Sequence, residues 1–338
     1  MPPTLLETPQ QQQEQQPSET MFLKKIMQQD KARYQSKGFG LVFAVLIAVG
    51  FFIGYPLFVK AYWPQVLQLQ AEYELSYVAV HLIIGVGMHD FCHTVMNLIY
   101  WACYHYEWEF VARYKCNDLP WPWQEDPEAW RSLCYKSIAV LFFNGNVMVV
   151  SGFMLFDHFG LVEYQDMTVE GIPDTTELML TLAFFMFVED FVFYWMHRFL
   201  HWRVIYPYFH KMHHNHKVTT GIAGEYTHPV EYVLANMLPV CVGPTILGTK
   251  CHLTTVFAWY IIRYLENLDG HCGYDFSWSP FRLIPLSSGG RYHDFHHAVN
   301  VGNYASFFSI WDSVFGTNKA FYEAERELLS EKSKAKVH

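Results

Sequence analysis

Four stretches of this chain are apolar over nearly the length of a bilayer crossing, and this limits the possible fold more than any other feature. They cover residues 39–59, 76–102, 137–156 and 178–196. A run of about 20 apolar residues spans a hydrocarbon core, and several such runs are hard to bury in a soluble domain of this size. Composition agrees. Hydrophobic residues make up 51% of the 338 and charged residues only 16%, against roughly a quarter charged in soluble domains. The 18% aromatic content suits side chains that sit at membrane interfaces. The expected fold is therefore all-α, an integral membrane helical bundle of four spans. The second stretch carries His81, His89, Asp90 and His93. It either crosses with its polar face packed inward or lies partly in the interface. Two further apolar legs, 230–248 and 253–265, are broken by Pro239, Gly243, Pro244 and Gly248, and read as a hairpin or paired dip.

The loops set an orientation. Lys24, Lys25, Lys31, Arg33 and Lys37 precede the first run, and Arg113, Lys115, Arg131 and Lys136 fall between the second and third. Residues 157–177 contain acids but no Lys or Arg. Basic loops stay cytoplasmic, so residues 20–38, 103–136 and the histidine-rich C-terminal third are expected in the cytosol. Residues 1–20, rich in Gln, Pro and Glu, read as a disordered tail with no signal peptide. The domain plan is a tail (1–20), an N-terminal membrane region (21–134), a histidine-rich domain (135–320) and a polar C-terminal tail (321–338). That tail ends in KAKVH, with Lys334 and Lys336 fitting a dilysine-type retrieval signal. Seven cysteines without a CxxC pair read as reduced thiols. A net charge of −9 argues against a general nucleic-acid binder.

Eighteen histidines are many for this length, and three dense clusters carry the chemistry. HRFLH places His197 and His201 at the end of the fourth run. HKMHH supplies His210, His213 and His214, and HDFHH supplies His293, His296 and His297. Spacings of i, i+3 and i+4 put imidazoles on one helix face. Neutral imidazole binds Zn, Fe, Cu and Ni. Seven or more imidazoles exceed what one ion takes, so two ions are implied. A zinc site needs only three or four ligands. A redox-active iron pair suits the excess, because it turns O2 into an oxidant of unactivated C–H bonds. His228, His271 and His216 stand near the clusters, and spacing leaves His216 between ligand and packing residue. His89 and His93 also stand four apart but lie far from the clusters, and read as packing residues. His81, His105, His158 and His338 are isolated, and His252 reads as interfacial. Metal-bound imidazoles usually donate their second N–H to a carboxylate or carbonyl. Asp190, two helical turns before His197 inside an apolar run, is the foremost candidate for that orienting role. Glu189, Glu225, Asp269 and Asp294 stand behind it.

At these residues the sequence resembles the fatty acid hydroxylase superfamily, and within it the C-4 methylsterol oxidases. The likeness runs over residues 135–320. It rests on EDFVFYWMHRFLH (189–201), HKMHH (210–214), EYTHP (225–229), HCGYDF (271–276) and HDFHHAVNVGNYAS (293–306) followed by WDSVFGT. The resemblance implies a di-iron site held by His197, His201, His210, His213, His214, His271, His293, His296 and His297, with His228 added. It implies a cytosolic histidine-rich cap, an endoplasmic reticulum membrane, and an O2-dependent monooxygenase oxidising the C-4 methyl of sterol intermediates. Electrons from NAD(P)H would arrive through cytochrome b5 or a reductase. The chain itself shows no HPGG haem motif and no GxGxxG fingerprint, so the reductant is expected from another protein. Two other readings stay open on the residues alone. One is a fatty acyl, sphingolipid or other lipid hydroxylase or desaturase on the same site. The other is a histidine-rich metal-binding membrane protein without catalysis.

Overall fold

The structure, a computed structural model, describes residues 37–335. The expected tail over residues 1–20, the basic residues Lys24, Lys25, Lys31 and Arg33, and Lys336 and His338 lie outside the described residues. Among those described, the fold is helical with no strand, only isolated bridge pairs such as Lys115 with Tyr274.

Five helices are long and apolar enough to cross a membrane. The first, α1 (Lys37–Glu72), has 36 residues, about 54 Å at 1.5 Å per residue, and so overreaches a hydrocarbon core of about 30 Å. Helix α2 (Tyr77–Tyr106) starts at Ser76, whose hydroxyl accepts from the Ala79 N–H. Helix α3 (Pro127–His158) starts at Asp126, whose carboxylate caps Glu128 and Ala129, with Pro127 at the first helical position. It is interrupted by a π turn at Phe143–Met148. Helix α4 (Thr175–Leu200) is capped by Asp174. Helix α5 (Pro229–Lys250) is the fifth. In the most apolar windows of α1 and α3 only 17% and 11% of residues are buried. Phe39, Leu46, Leu57, Phe142 and Met154 point outward, as surfaces made for lipid do.

The two proline-broken legs form a helical hairpin, joined by Cys251 and His252 and tied where Trp259 Nε1–H donates to the Val240 carbonyl at 3.0 Å. The first becomes α5, because a π turn at Tyr232–Met237 precedes Pro239. The Leu238 N–H closes that turn on the Val233 carbonyl, and Pro239 follows in the first turn of the helical segment after it, where proline is tolerated. The second leg is α6 (Leu253–His271), which does not qualify as a crossing helix because its second half carries Arg263, Glu266 and Asp269. Its first half, Leu253, Val256, Phe257 and Trp259, packs into the main core with Leu178, Leu182 and Phe185 of α4 and Trp63 of α1. Its second half lies against α2 and against α7 (Gly289–Val299). Helices α8 (Ile310–Phe315) and α9 (Lys319–Ala335) close the chain. This arrangement brings the ends of α4 and α6 together with α7, and those ends carry histidines.

Candidate metal centre

The histidines of the three clusters, joined by His271, converge from four separate segments. The last turn of α4 presents His197, and His201 caps its C-terminal end. The irregular segment after it presents His210, His213 and His214. The last residue of α6 is His271, and α7 carries His293, His296 and His297. They sort into two adjacent groups. His197, His201, His210, His214 and His296 form one, and His213, His271, His293 and His297 form the other; within each, the ligating atoms lie within 4.8 Å of one another. The groups abut: across their shared edge the ring centroids of His214 and His297 are 4.7 Å apart and those of His210 and His213 are 5.5 Å apart.

The protonation pattern decides what these groups are for. The Nδ1–H of His197 donates to the Tyr304 carbonyl at 2.8 Å, and that of His296 to the Gly302 carbonyl at 2.6 Å. His297 and His271 donate likewise to the carbonyls of His216 and Asn267, at 3.0 and 2.8 Å. His210 Nδ1–H donates to Glu231 Oε1 at 2.7 Å. Neutral imidazole has one proton, so where Nδ1 donates, Nε2 is a bare lone pair. The bare Nε2 atoms of His210 and His271 each face the Nε2 atoms of two further imidazoles. His210 lies 2.9 Å from His201 and 3.1 Å from His214; His271 lies 2.9 Å from His293 and 3.4 Å from His213. Nitrogens gathered this closely are placed as the ligands of one cation are. Two imidazole nitrogens bound at about 2.1 Å to one ion, at right angles, are about 3.0 Å apart, which matches these separations. Burial, followed by the neighbouring imidazoles, holds His210, His213, His214, His293 and His297 well below the ordinary imidazole range. Burial holds His271 down to about 4 despite its hydrogen bond to Asn267. Unprotonated imidazole is what a metal ion requires, so the donor set fits two ions.

Other expected site residues fall elsewhere. His228 lies in neither group; its ring caps α5 by accepting from the Val230 N–H at 3.2 Å. His216 also lies outside both, and serves through its carbonyl. Asp190 touches no imidazole. Its Oδ1 accepts from the backbone N–H groups of Ser306 and Phe308, both at 3.1 Å. It therefore fixes the segment whose Tyr304 carbonyl orients His197. Glu189 pairs with Arg263 at 2.8 Å and Asp269 with Arg282 at 2.7 Å. Asp294 anchors α7 by accepting from Asn117 and Thr219, both at 2.7 Å. The carboxylate that does hold an imidazole of these groups is Glu231, which the sequence reading passed over. It closes EYTHPVE, where its place in the first turn after Pro229 was the available signal. His89 and His93, expected to be packing residues, meet Glu225 in a third buried group.

The comparisons with known proteins agree with this geometry. Residues 182–317 match the family described as fatty acid hydroxylase. Methylsterol monooxygenase 2-2 of Arabidopsis thaliana is 39% identical over 44% of this chain and 56% of its own length. Methylsterol monooxygenase 1-1 of the same plant is 33% identical over 59% of this chain and 65% of its own. A very-long-chain aldehyde decarbonylase of Oryza sativa subsp. indica is 38% identical over 49% and 61%. The chain thus spans about three fifths of the length of these curated relatives. No solved structure matches.

Proposed function

We propose that this chain, which carries a fatty acid hydroxylase domain, is an O2-dependent di-iron monooxygenase acting on the C-4 methyl group of sterol intermediates. The observation that carries this reading is the convergence of imidazole nitrogens in two adjacent histidine groups, with His197, His296, His297 and His271 held from behind by carbonyls and His210 by Glu231. His197, His201, His210, His214 and His296 would hold one ion, and His213, His271, His293 and His297 the other. Bound there, an iron pair supplies the redox chemistry that splits O2, placing one oxygen atom in a C–H bond and releasing the other as water with two electrons and two protons.

The protein's own part is to bind, orient and exclude water. The Nδ1 protons of His197, His296, His297 and His271 stay at their backbone acceptors, which fixes each ring's tautomer and direction. Substrate access is supported by an apolar cavity of about 440 Å³ lined by Ile47, Phe51, Phe52, Met186 and Phe308. That volume lies within the range of small-molecule sites. It shares Phe281 and Ile284 with a small inner cavity of about 30 Å³ that reaches His271 and His293. A lipid dissolved in the bilayer could enter along this route with its reacting carbon leading. The domain likeness favours lipid oxidation in general, and the two methylsterol monooxygenase relatives favour sterols. Electrons from NAD(P)H come through cytochrome b5 or a reductase. The placement is an endoplasmic reticulum membrane with the histidine boxes on the cytosolic side.

Lipid profiling of cells with and without the chain tests the substrate. Removing it should make 4-methylsterols accumulate, and a His296→Ala variant should fail to restore the profile. Unchanged sterols with altered acyl chains or long-chain aldehydes would overturn the sterol assignment. That outcome would favour the chemistry named in the aldehyde decarbonylase relative.

A further inference from the structure

Away from both histidine groups, three buried side chains meet inside the bundle. His89 and His93 stand one turn apart on α2, and Glu225 reaches them from the segment before α5. Their side chains are 2%, 2% and 4% exposed. Glu225 Oε2 lies 2.8 Å from His89 Nε2, and Oε1 lies 3.1 Å from His93 Nε2. The other nitrogen of His89 faces Asp90 Oδ1 at 2.9 Å, and Asn146 donates to the same oxygen at 3.1 Å. A carboxylate held in this way behind an imidazole is the usual outer partner of a metal-bound histidine. With the proton on Nδ1, the His89 Nε2 lone pair points at a carboxylate oxygen, so either a second ring proton or a bound cation joins the two.

Charge balance and space point the same way. Asp90 and Glu225 carry two negative charges, and one divalent ion beside neutral imidazoles cancels them. The donor set, two histidines and one carboxylate, leaves coordination positions open. A cavity of about 90 Å³ adjoins it, lined by His89, Glu225, Tyr232, Asn236, Tyr264 and Asn267 among others. That is room for about three waters at 30 Å³ each. Both π turns of the fold border this cavity, one through Gly145 and the other through Tyr232 and Asn236. Such turns are frequent at functional sites. A Cβ at Gly145 would stand 2.3 Å from His89 Cε1, so the π turn presses bare backbone onto the ring and fixes its direction. Ionisable side chains at this depth in a membrane bundle are expensive to retain without a role.

We propose that His89, His93 and Glu225 form a third metal site, which takes one divalent transition-metal ion of the iron or zinc kind. The site is independent of the reaction proposed above, because its ligands belong to neither histidine group.

The test is metal counting on the full chain, purified in detergent, by mass spectrometry of the bound elements. Wild type should carry one equivalent more than Glu225→Gln or His93→Ala, while His213→Ala should lose metal from the four-imidazole group and keep this one. Equal metal in wild type and in folded Glu225→Gln overturns the proposal, and leaves a pair of protonated imidazoles as the source of positive charge. Should both variants fail to fold, cobalt(II) titration of metal-stripped wild type decides. Saturation at three equivalents supports the site, and saturation at two overturns it.

Discussion

Glu231 offers the sharpest test of how the metal centre is held. Its Oε1 accepts the Nδ1–H of His210 at 2.7 Å, and both side chains are buried. Removing an outer partner of a ligating histidine typically costs 10–100-fold in metal affinity, or about 1.4–2.8 kcal/mol. The two available substitutions should fall at opposite ends of that range. In Glu231→Gln an amide oxygen can still accept the proton, but without charge, so the loss should be near 10-fold. In Glu231→Ala the His210 N–H is left buried without a partner. The affinity loss should approach 100-fold, with about 1–3 kcal/mol lost from stability as well. Competition with a chromophoric chelator, using zinc as the reporting ion, reads the affinity of each site in turn. Only the ion held by the five-imidazole group should be weakened, because Glu231 touches no member of the other. Affinities within twofold of wild type in both variants would refute the reasoning. So would equal weakening of both ions.

Three further outcomes follow from the same geometry. His213→Ala should lose metal from the second group and lose activity, whereas His228→Ala should keep the full complement, as read by metal analysis of the purified chains. Metal-free protein should lose stability on acidification. The buried imidazoles, His271 at about 4 among them, bind protons less readily than their unfolded counterparts near 6.5. The stability they confer is therefore present above about pH 6.5 and is lost as pH falls toward 4. Thermal melts between pH 7.5 and pH 5 should show this, and a flat profile would contradict it. A glycosylation acceptor inserted between Asp157 and Asp174 should be modified in microsomes, and one placed after His297 should not.

The sequence made the histidine boxes visible because helical spacing is explicit in it, but it could not show how a box divides. In HKMHH, His210 and His214 join one group while His213 joins the other. In HDFHH, His293 and His297 go together and His296 goes across. In both, the i, i+4 pair stays together and the intervening residue is diverted, since i+3 and i+4 lie about 100° apart around a helix. That rule emerges only once two groups exist for the side chains to face. The orienting groups were less legible. Four of the acceptors behind the imidazoles are backbone carbonyls, of Tyr304, Gly302, His216 and Asn267, and carbonyls have no residue type to recognise. Asp190 was conspicuous as a charge in an apolar run, yet its contact with the centre is indirect. Span counting succeeded where apolar runs were continuous. It found the α5 leg at residues 230–248 but placed it in a hairpin rather than counting it as a crossing, because Pro239 reads as a breaker.

The two ions would also act as clasps. His201 and His296 bring their Nε2 atoms to 3.1 Å across 95 residues of chain, and His213 meets His271 across 58. A covalent tie closing loops of such length removes about 4–5 kcal/mol of unfolded-chain entropy, and a tightly held ion ties its ligands in the same sense while it stays bound. The parts it fastens are the end of α4, the 210–214 segment, the end of α6 and α7, which together make up the cap. Stripping the metal should therefore loosen that cap as a unit, opening residues 202–228 and 272–288 to protease while the membrane helices stay intact. In this architecture the reactive centre and the fastening of its own housing are one object. A chain that has lost its ions should be marked for degradation as well as silent in catalysis.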